Sequence, residues 1–519
     1  MLFNSLSFIL LFLPLSLVAY YLATQIGKTA SVLSLVIASL VFYCWWNPTF
    51  LVLLLASIAV NYSCGSIILR EKTSSAVKSS ALYFTIAANL LALFYYKYFD
   101  TVIHGLESYG IMTPLHGSAI LLPLGISFFT FTQIGYLLDC KAGVTKGNNL
   151  LDYMLFVTFF PHLIAGPILH YREMERQFAD PNTYQLKHEN CSVGLSIFIM
   201  GLAKKVLIAD YFMTLANHLF SHPDNVGMVC AWAGTLSYML QLYFDFSGYS
   251  EMAIGLALIF GIRFPANFNS PYKAHSIIDF WQRWHMTLTR YLTLYLYNPM
   301  ALWITRKRVM QGKPIAREAV SHIGGFVSMI VVPIFFTMIL AGIWHGAGLQ
   351  FMIFGLLHAC YLSINHAWRI FHPTTPTNRP DDSCWYQSLW KAGLTMLAVM
   401  IAQIFFRAAS THDALVILGN ISGVSGIINH EHMLVFHKMK GLTLWTPITL
   451  ILGFLWVFTM PNVLQVTAAY KPSLSNIAAS TQSRLAWAPN RLWACALGLI
   501  AAITILAITG TTEFVYFQF

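Results

Sequence analysis

Unbroken apolar stretches recur along the whole chain and limit its fold more than any other feature. Two of them, Ile9–Leu22 and Leu497–Ile508, contain no charged residue. Backbone polar groups inside a bilayer must be paired within the protein, so only helices and closed barrels can cross it. The runs lack the alternation typical of a barrel strand. Charged residues make up only 10% of the chain, against roughly 25% in soluble domains. The sequence therefore predicts an all-α polytopic membrane protein.

A spanning helix needs about 20 mostly apolar residues. This rule predicts about eleven to thirteen helical membrane segments in one membrane-embedded domain, residues 1–519. The predicted spans lie near residues 5–24, 30–47, 50–69, 80–97, 119–139, 192–220, 229–262, 323–345, 349–369, 388–407, 442–460 and 491–510.

Two further segments do not look like simple spans. Residues 150–168 are apolar but contain two prolines and a glycine, which predicts a broken or re-entrant helix buried within the protein. Residues 279–299 place five apolar side chains on one helical face, which predicts an amphipathic helix lying near the membrane surface or dipping into the core. Those side chains are Trp281, Trp284, Leu288, Tyr291 and Tyr295.

The net charge of +10 is most simply the Lys/Arg bias of cytoplasmic loops. Lys28 follows the first predicted span, no basic residue lies in Trp45–Pro48 after the second, and Arg70 follows the third. This alternation predicts an extracytoplasmic N-terminus. Because the chain has no basic, aromatic-laced module, we expect no nucleic-acid partner. The eight cysteines form no Cys-x-x-Cys pair, which argues against a zinc site and a disulfide framework.

A polar island interrupts the apolar run 229–262. It contains Tyr243, Asp245, Tyr249 and Glu251, which should face the protein interior or an aqueous cavity. A satisfied polar contact between helices and a contact with substrate are both open interpretations. The adjacent lysines at 204–205 would either snorkel to the head-group surface, which we favour, or lie near a cavity.

Two histidines each follow a tryptophan in otherwise apolar sequence: His285 after Trp284, and His345 after Trp344. Histidine exchanges a proton near neutral pH, and an ionisable group at membrane depth usually marks function. A histidine can act as a general base on a hydroxyl that attacks a thioester. The sequence contains no Gly-x-Ser-x-Gly elbow, His-Glu-x-x-His pair or Walker-type loop. On the residues alone, a structural role for His345 stays open beside the catalytic one.

Eight short stretches form a recognisable series along most of the chain. They are Leu124–Phe128, Phe159–Pro167, Gly201–Lys205, Tyr243–Ser250, Phe264–Phe268, Phe280–His285, Trp344–Ala347 and Phe405–Ala408. In this order they resemble the membrane-bound O-acyltransferase (MBOAT) family, specifically the bacterial branch that includes alginate O-acetylation proteins. In the segment 293–302 this chain lacks an Arg–Asp pair and two glycines that the branch usually has, so the resemblance does not imply alginate as the acceptor.

The resemblance implies an MBOAT-type helical bundle with a central tunnel. Its helices would divide into peripheral N-terminal helices (1–115), a catalytic core (about 119–410) and C-terminal helices (411–519). The principal catalytic histidine of the family maps onto His345 and its second histidine onto His285.

The family moves an acyl group from a cytoplasmic thioester to a hydroxyl. In this branch the acceptor is an extracytoplasmic polysaccharide or an intermediate carrier, and a periplasmic or surface partner completes the transfer. The expected activity is therefore acetyl transfer from acetyl-CoA at the bacterial inner membrane, without a bound cofactor or metal. A transporter or flippase of an acyl or glycan intermediate is the alternative, and an assembly protein that recruits a separate transferase is a third. Within the enzyme class, acylation of a protein or a lipid stays open.

His345 would deprotonate or orient the acceptor hydroxyl, and His285 would shape the donor path or polarise the thioester. A tryptophan beside each histidine would supply an apolar wall. The other side chains expected at the substrate path or tunnel are Trp281, Arg283, Trp284, Trp344, Tyr243, Asp245 and Tyr249.

Overall fold

A computed structural model describes most of the chain, and for 317 and 385–388 it describes the backbone alone. The described residues are 1–108, 110–111, 120–147, 149–224, 226–315, 317–372, 385–427, 445–478, 485–508, 510 and 514–515.

The described residues are helical and contain no strand. Helices in the first half are α1 (Leu13–Ile26), α2 (Lys28–Cys44), α3 (Thr49–Leu69), α4 (Ser75–Lys97), α5 (Phe99–Ser108), α6 (Ile126–Lys141), α7 (Leu150–Thr158), α8 (Phe160–Leu163), α9 (Tyr171–Ala179), α10 (His188–Ala203), α11 (Asp210–Ser221) and α12 (Met228–Ile259). Those in the second half are α13 (Ile277–Trp281), α14 (Met286–Leu292), α15 (Asn298–Met310), α16 (Arg317–Val320), α17 (Ile323–Phe326), α18 (Val332–His345), α19 (Leu349–Phe371), α20 (Trp385–Arg407), α21 (Thr411–Ile421), α22 (Thr446–Thr459), α23 (Val463–Val466) and α24 (Arg491–Ala507).

Six helical stretches among the described residues are long and apolar enough to cross a membrane, and α2, α22 and α24 are shorter apolar helices. The fold is therefore all-α and polytopic, as predicted, while the number of eleven to thirteen segments and the central tunnel stay predictions. The six stretches are Phe8–Ile26, Thr49–Leu69, Ser75–Lys97, His188–Ser221, Ile323–His345 and Leu389–Arg407.

The predicted span 119–139 begins too early. Residue 119 lies outside the described residues, and helix α6 begins at Ile126. Pro123 lacks a backbone N–H donor, and Gly125 adopts a left-handed conformation with φ of 74°. Without a Cβ, glycine adopts this conformation readily, and a Cβ at Gly125 would lie 2.8 Å from the Leu163 carbonyl oxygen.

The interruption predicted within residues 150–168 is present. Helix α7 ends at Thr158, Phe159 adopts φ −49° and ψ 110°, and the four-residue helix α8 follows. His162 on α8 is buried, and its Nε2 lies 2.8 Å from the Phe156 carbonyl oxygen. Residues 155–169 are buried within the protein, where such irregular backbone is tolerated.

The described chain forms two compact units. The first unit comprises Met1–Leu207, Asp245–Ala266 and Asn462–Phe519, and the second comprises Ile208–Phe244 and Asn267–Pro461. The predicted division into N-terminal helices, catalytic core and C-terminal helices stays a prediction.

In the first unit, two glycine pairs bring α10 close to the end of α12. A Cβ on Gly255 would lie 2.5 Å from the Gly194 carbonyl oxygen, and a Cβ on Gly248 would lie 2.7 Å from that of Gly201. The pairing runs in opposite directions along the two helices, so they are antiparallel. Small residues allow helix backbones to approach closely in membranes. This approach places the lysines that follow α10 beside the polar island of α12.

In the second unit, glycines bring α18 and α19 into close contact. A Cβ on Gly342 would overlap the Phe351 carbonyl oxygen, and a Cβ on Gly355 would overlap that of Met338. The turn Gly346–Gly348 joins the two helices directly after His345. His345 is therefore fixed at the end of a tightly packed helical hairpin.

Candidate active site

The segment that carries His285 is not one helix. The sequence predicts a continuous helix over 279–299, and this is wrong: α13 ends at Trp281, and α14 begins at Met286. His285 lies between them with φ 41° and ψ 53°, in the left-handed region. A residue other than glycine is uncommon there, and keeping its backbone in this conformation costs about 1–3 kcal/mol.

Backbone hydrogen bonds to a preceding loop hold this break in place. The Met286 N–H donates to the Asn267 carbonyl oxygen over 2.9 Å, and the Asn269 N–H donates to that of Arg283 over 3.0 Å. These bonds use groups that a continuous helix would pair internally. The chain at His285 is therefore fixed by the segment 267–269, which the sequence periodicity does not report.

Asn267 also orients the His285 ring. The Asn267 Oδ1 accepts a hydrogen bond from the Thr287 hydroxyl over 2.6 Å and lies 3.1 Å from His285 Nδ1. Because an amide oxygen only accepts, Nδ1 carries the proton and Nε2 carries the lone pair. Burial lowers the pKa of His285 to about 3. The ring is therefore neutral near pH 7, with Nε2 as its basic atom.

His345 is the last residue of α18 and is only 7% exposed. Its ring centroid lies 4.8 Å from that of Trp344, 5.0 Å from that of Phe406 and 5.9 Å from that of Phe354. The predicted apolar wall beside this histidine is present, and Phe406 and Phe354 extend it.

Aromatic side chains connect the region of His345 to the segment of His285. Phe354 packs against His358 with ring centroids 4.7 Å apart, and His358 packs against Trp281 at 5.0 Å. Phe280, beside Trp281, stacks on Trp284 at 5.6 Å and 15°. Trp281, Trp284 and Trp344 therefore lie in one aromatic chain with both histidine-bearing segments.

Tyr243 packs at the same cluster. Its ring centroid lies 5.4 Å from that of Tyr272 and 6.2 Å from that of Phe268, and both of these rings contact Trp284. Arg283 is held by Asp279, its Nε lying 2.7 Å from Asp279 Oδ1. Its guanidinium is partly exposed.

Asp245 and Tyr249 lie in the first unit. Lys205 Nζ is 2.7 Å from Asp245 Oδ1, and both side chains are 1% exposed. The Val515 N–H donates to Asp245 Oδ2 over 2.9 Å, and Phe514 packs on Tyr249 with ring centroids 4.8 Å apart. His285 and His345 belong to the second unit, so the predicted place of Asp245 and Tyr249 along a tunnel stays a prediction.

The interpretation that the two lysines snorkel to the head-group surface is wrong. Lys205 pairs with buried Asp245, and Lys204 Nζ lies 2.6 Å from Glu251 Oε1 with both side chains nearly buried. Two ammonium groups therefore meet two carboxylates between α10 and α12, as in a satisfied polar contact between helices.

We expect Asp245→Ala to destabilise the protein strongly. Removing one partner leaves the buried Lys205 charge without compensation, which costs about 3–5 kcal/mol. The double variant Lys205→Met/Asp245→Leu removes both charges and should recover most of that stability. Thermal unfolding in detergent measures the effect. A double variant as unstable as Asp245→Ala would contradict this structural account.

Two residues of this region were given no role at the site from the sequence. Asn267 lies in one of the stretches that resemble the family, but no periodicity or charge indicated that it would orient His285. His358 lies on the apolar helix α19, where a histidine has no distinguishing sequence signal. Among the described residues, no group of three or more His, Cys, Asp or Glu side chains could hold a metal ion.

The fold and site define a class: a helical membrane protein with two buried histidines on segments that packed aromatic side chains connect. Residues 41–311 match the model of the MBOAT, membrane-bound O-acyltransferase family. This range includes His285 and ends before His345.

Curated relatives agree. A peptidoglycan O-acetyltransferase of Helicobacter pylori is 37% identical over 460 residues, covering 82% of this chain and 81% of the relative. A probable alginate O-acetylase of Azotobacter vinelandii is 39% identical over 416 residues, 79% and 75% of the two chains. A teichoic acid D-alanyltransferase of Bacillus subtilis is 29% identical over 302 residues, 57% and 71%.

The chain belongs to the membrane-bound O-acyltransferase family. It is an enzyme that transfers acyl groups, and this favours the predicted transferase over the transporter and assembly alternatives.

Proposed function

We propose that this enzyme moves an acetyl group from a cytoplasmic thioester, acetyl-CoA, to a hydroxyl of an extracytoplasmic polysaccharide. The acetyl group would pass either directly or through a periplasmic or surface partner protein. Two relatives support this proposal by their names: one is a peptidoglycan O-acetyltransferase, and the other is a probable alginate O-acetylase. The proposed setting is the bacterial inner membrane, with the N-terminus outside.

The reaction exchanges one bond for another. The acceptor oxygen bonds to the acetyl carbonyl carbon, the C–S bond breaks, and the acceptor proton ends on the departing thiolate. A histidine can take the proton from the hydroxyl and return it to the sulfur. This chemistry needs a neutral imidazole close to both substrates, and it needs no covalent enzyme intermediate.

His345 is the proposed base. Its position at the end of the α18–α19 hairpin, with Trp344, Phe354 and Phe406 around the ring, supports this role. Aromatic walls exclude water from the site, which limits hydrolysis of the thioester and strengthens polar interactions with the substrate.

The observation that carries the proposal furthest is the tautomer of the His285 ring. Asn267 fixes the Nδ1–H tautomer, so Nε2 is a hydrogen-bond acceptor. An acceptor atom suits binding of a hydroxyl and does not suit polarising a thioester carbonyl, which needs a donor. We therefore assign His285 to orienting the acceptor hydroxyl. The donor path is assigned to Trp281, Arg283 and Trp284.

The experiment is transfer of label from radiolabelled acetyl-CoA by the purified enzyme in detergent. Acceptors would be peptidoglycan, alginate and an extract of periplasmic and surface proteins, each tested separately. Label in an alkali-labile ester on one of them supports the proposal. Thioester consumption with no labelled acceptor indicates hydrolysis alone, and an inert enzyme with every acceptor contradicts acetyl-CoA as the donor.

A further inference from the structure

A third buried histidine connects the two segments of the candidate site. We propose that His358 is a positioning residue for acyl transfer: it holds the Trp281 indole ring and thereby fixes the His285 segment against the hairpin that ends in His345. This inference rests on the proposed function, because it assigns His358 a part in that same site.

The contact with Trp281 is directional. The Trp281 Nε1–H donates to His358 Nδ1 over 3.2 Å, with the two ring planes at 81°. An indole N–H only donates, so His358 accepts at Nδ1, and its neutral ring carries the proton on Nε2. His358 is 1% exposed, so water does not compete for this bond.

On its other side His358 faces the hairpin. Phe354 lies one turn earlier on α19, with its ring centroid 4.7 Å from that of His358. The same Phe354 ring lies 5.9 Å from that of His345, at 89°. Phe280 stacks parallel to His358 at 6.4 Å and 4°. His358 therefore contacts a ring that packs on His345 and two residues of the short helix that precedes His285.

The lengths of the helices explain why such a contact matters. Helix α13 has five residues, too few to be stable without tertiary contacts, whereas α19 has 23 residues. The bond from Trp281 to His358, together with the Ile278 N–H that donates to Asn365 Oδ1 over 3.4 Å, anchors the short helix on the long one. The left-handed turn at His285 begins four residues after Trp281.

A positioning role for His358 and a role in core packing alone predict different results. If the acceptor atom matters, a residue that keeps it should restore activity, and one that keeps only the ring shape should not. His358→Asn places an amide oxygen near the position of Nδ1. His358→Phe keeps an aromatic ring without an acceptor, and Trp281→Phe removes the donor from the other side.

We expect His358→Phe and Trp281→Phe each to lower kcat by about 10- to 100-fold with little change in KM for the thioester. A displacement of about 1 Å at reacting groups can cost about 100-fold in rate. His358→Asn should stay within about threefold of wild type. The double variant His358→Phe/Trp281→Phe should be no slower than the slower single variant, because both remove one interaction.

His366→Phe is the matched control. It makes the same substitution on the same helix, at a histidine that is only half-buried, and should leave kcat and KM unchanged. If His358→Phe fails to fold, Trp281→Phe and His358→Asn still test the bond.

Three results overturn the inference: wild-type kcat in His358→Phe, equal losses in His358→Asn and His358→Phe, or losses that multiply in the double variant. Tm in detergent is measured for the same variants. If the Tm shift of the double variant equals the sum of the two single shifts, His358 does not hold Trp281. If the wild-type enzyme transfers no acetyl group, the proposed function fails while the Tm series still decides whether this bond exists.

Discussion

His345→Ala should lower the rate of acyl transfer by about 1,000-fold, within the range of 100- to 10,000-fold that general acid–base catalysis contributes. The substitution removes the group that takes the proton from the acceptor hydroxyl. Because the loss affects the chemical step, kcat and kcat/KM should fall together while KM changes little. Initial rates with radiolabelled acetyl-CoA and a fixed acceptor measure both constants.

His322→Ala is the control, since His322 is exposed and lies at the start of the helical stretch that ends in His345. Gel filtration and Tm in detergent establish that both variants are folded. A folded His345→Ala enzyme with wild-type kcat would remove His345 from the catalytic role. A raised KM with unchanged kcat would make it a binding residue instead.

Most of the helices could be predicted from the sequence because the hydrophobic effect acts on long, uniform runs. The predicted span 50–69 is helix Thr49–Leu69, and 323–345 is the stretch Ile323–His345. Neither depends on what the other helices do. Errors occur where a local feature overrides the run, as at Gly125, whose left-handed conformation and contact with Leu163 delay the start of α6.

The candidate site was less predictable, because its geometry depends on pairings distant in sequence. Apolar periodicity over 279–299 favours a helix, and four of the five predicted face residues are buried. The bonds from Asn267 and Asn269 nevertheless replace helical bonds at His285. The sequence pattern shows which helical face is apolar. It does not show that a distant segment will bind the backbone N–H and C=O groups in place of the helical bonds.

The partners of the charged side chains in the polar island of α12 were equally hard to predict from the sequence. The sequence left open whether Asp245 contacts substrate or another helix, and it favoured snorkelling for the neighbouring lysines. Glycines at 194, 201, 248 and 255 bring the two helices close enough for buried ion pairs. The spacing of the glycines could have indicated this approach, because the two glycines on α10 and the two on α12 are each seven residues apart.

His285→Ala should lower kcat for acyl transfer by about 100-fold, the loss expected when a reacting hydroxyl is misplaced by about 1 Å. Asn267 and Thr287 stay in place, but the atom that orients the hydroxyl is lost. KM for the acceptor should rise, while KM for acetyl-CoA should not. His412→Ala, at an exposed histidine of the same unit, is the control. A rise confined to the KM for acetyl-CoA would assign His285 to the donor instead.

The pH dependence of Asn267→Asp tests the same role without removing the ring. In the wild type the pKa of His285, about 3, keeps the imidazole neutral, so lowering the pH from about 8 to about 5 should not protonate it. An aspartate at 267 places a carboxylate beside Nδ1–H, favours the imidazolium and raises the pKa of His285. The variant should therefore lose activity at a higher pH than the wild type as the solution is acidified. Identical acid limbs in the two profiles of log kcat against pH would mean that proton binding at His285 does not limit the reaction.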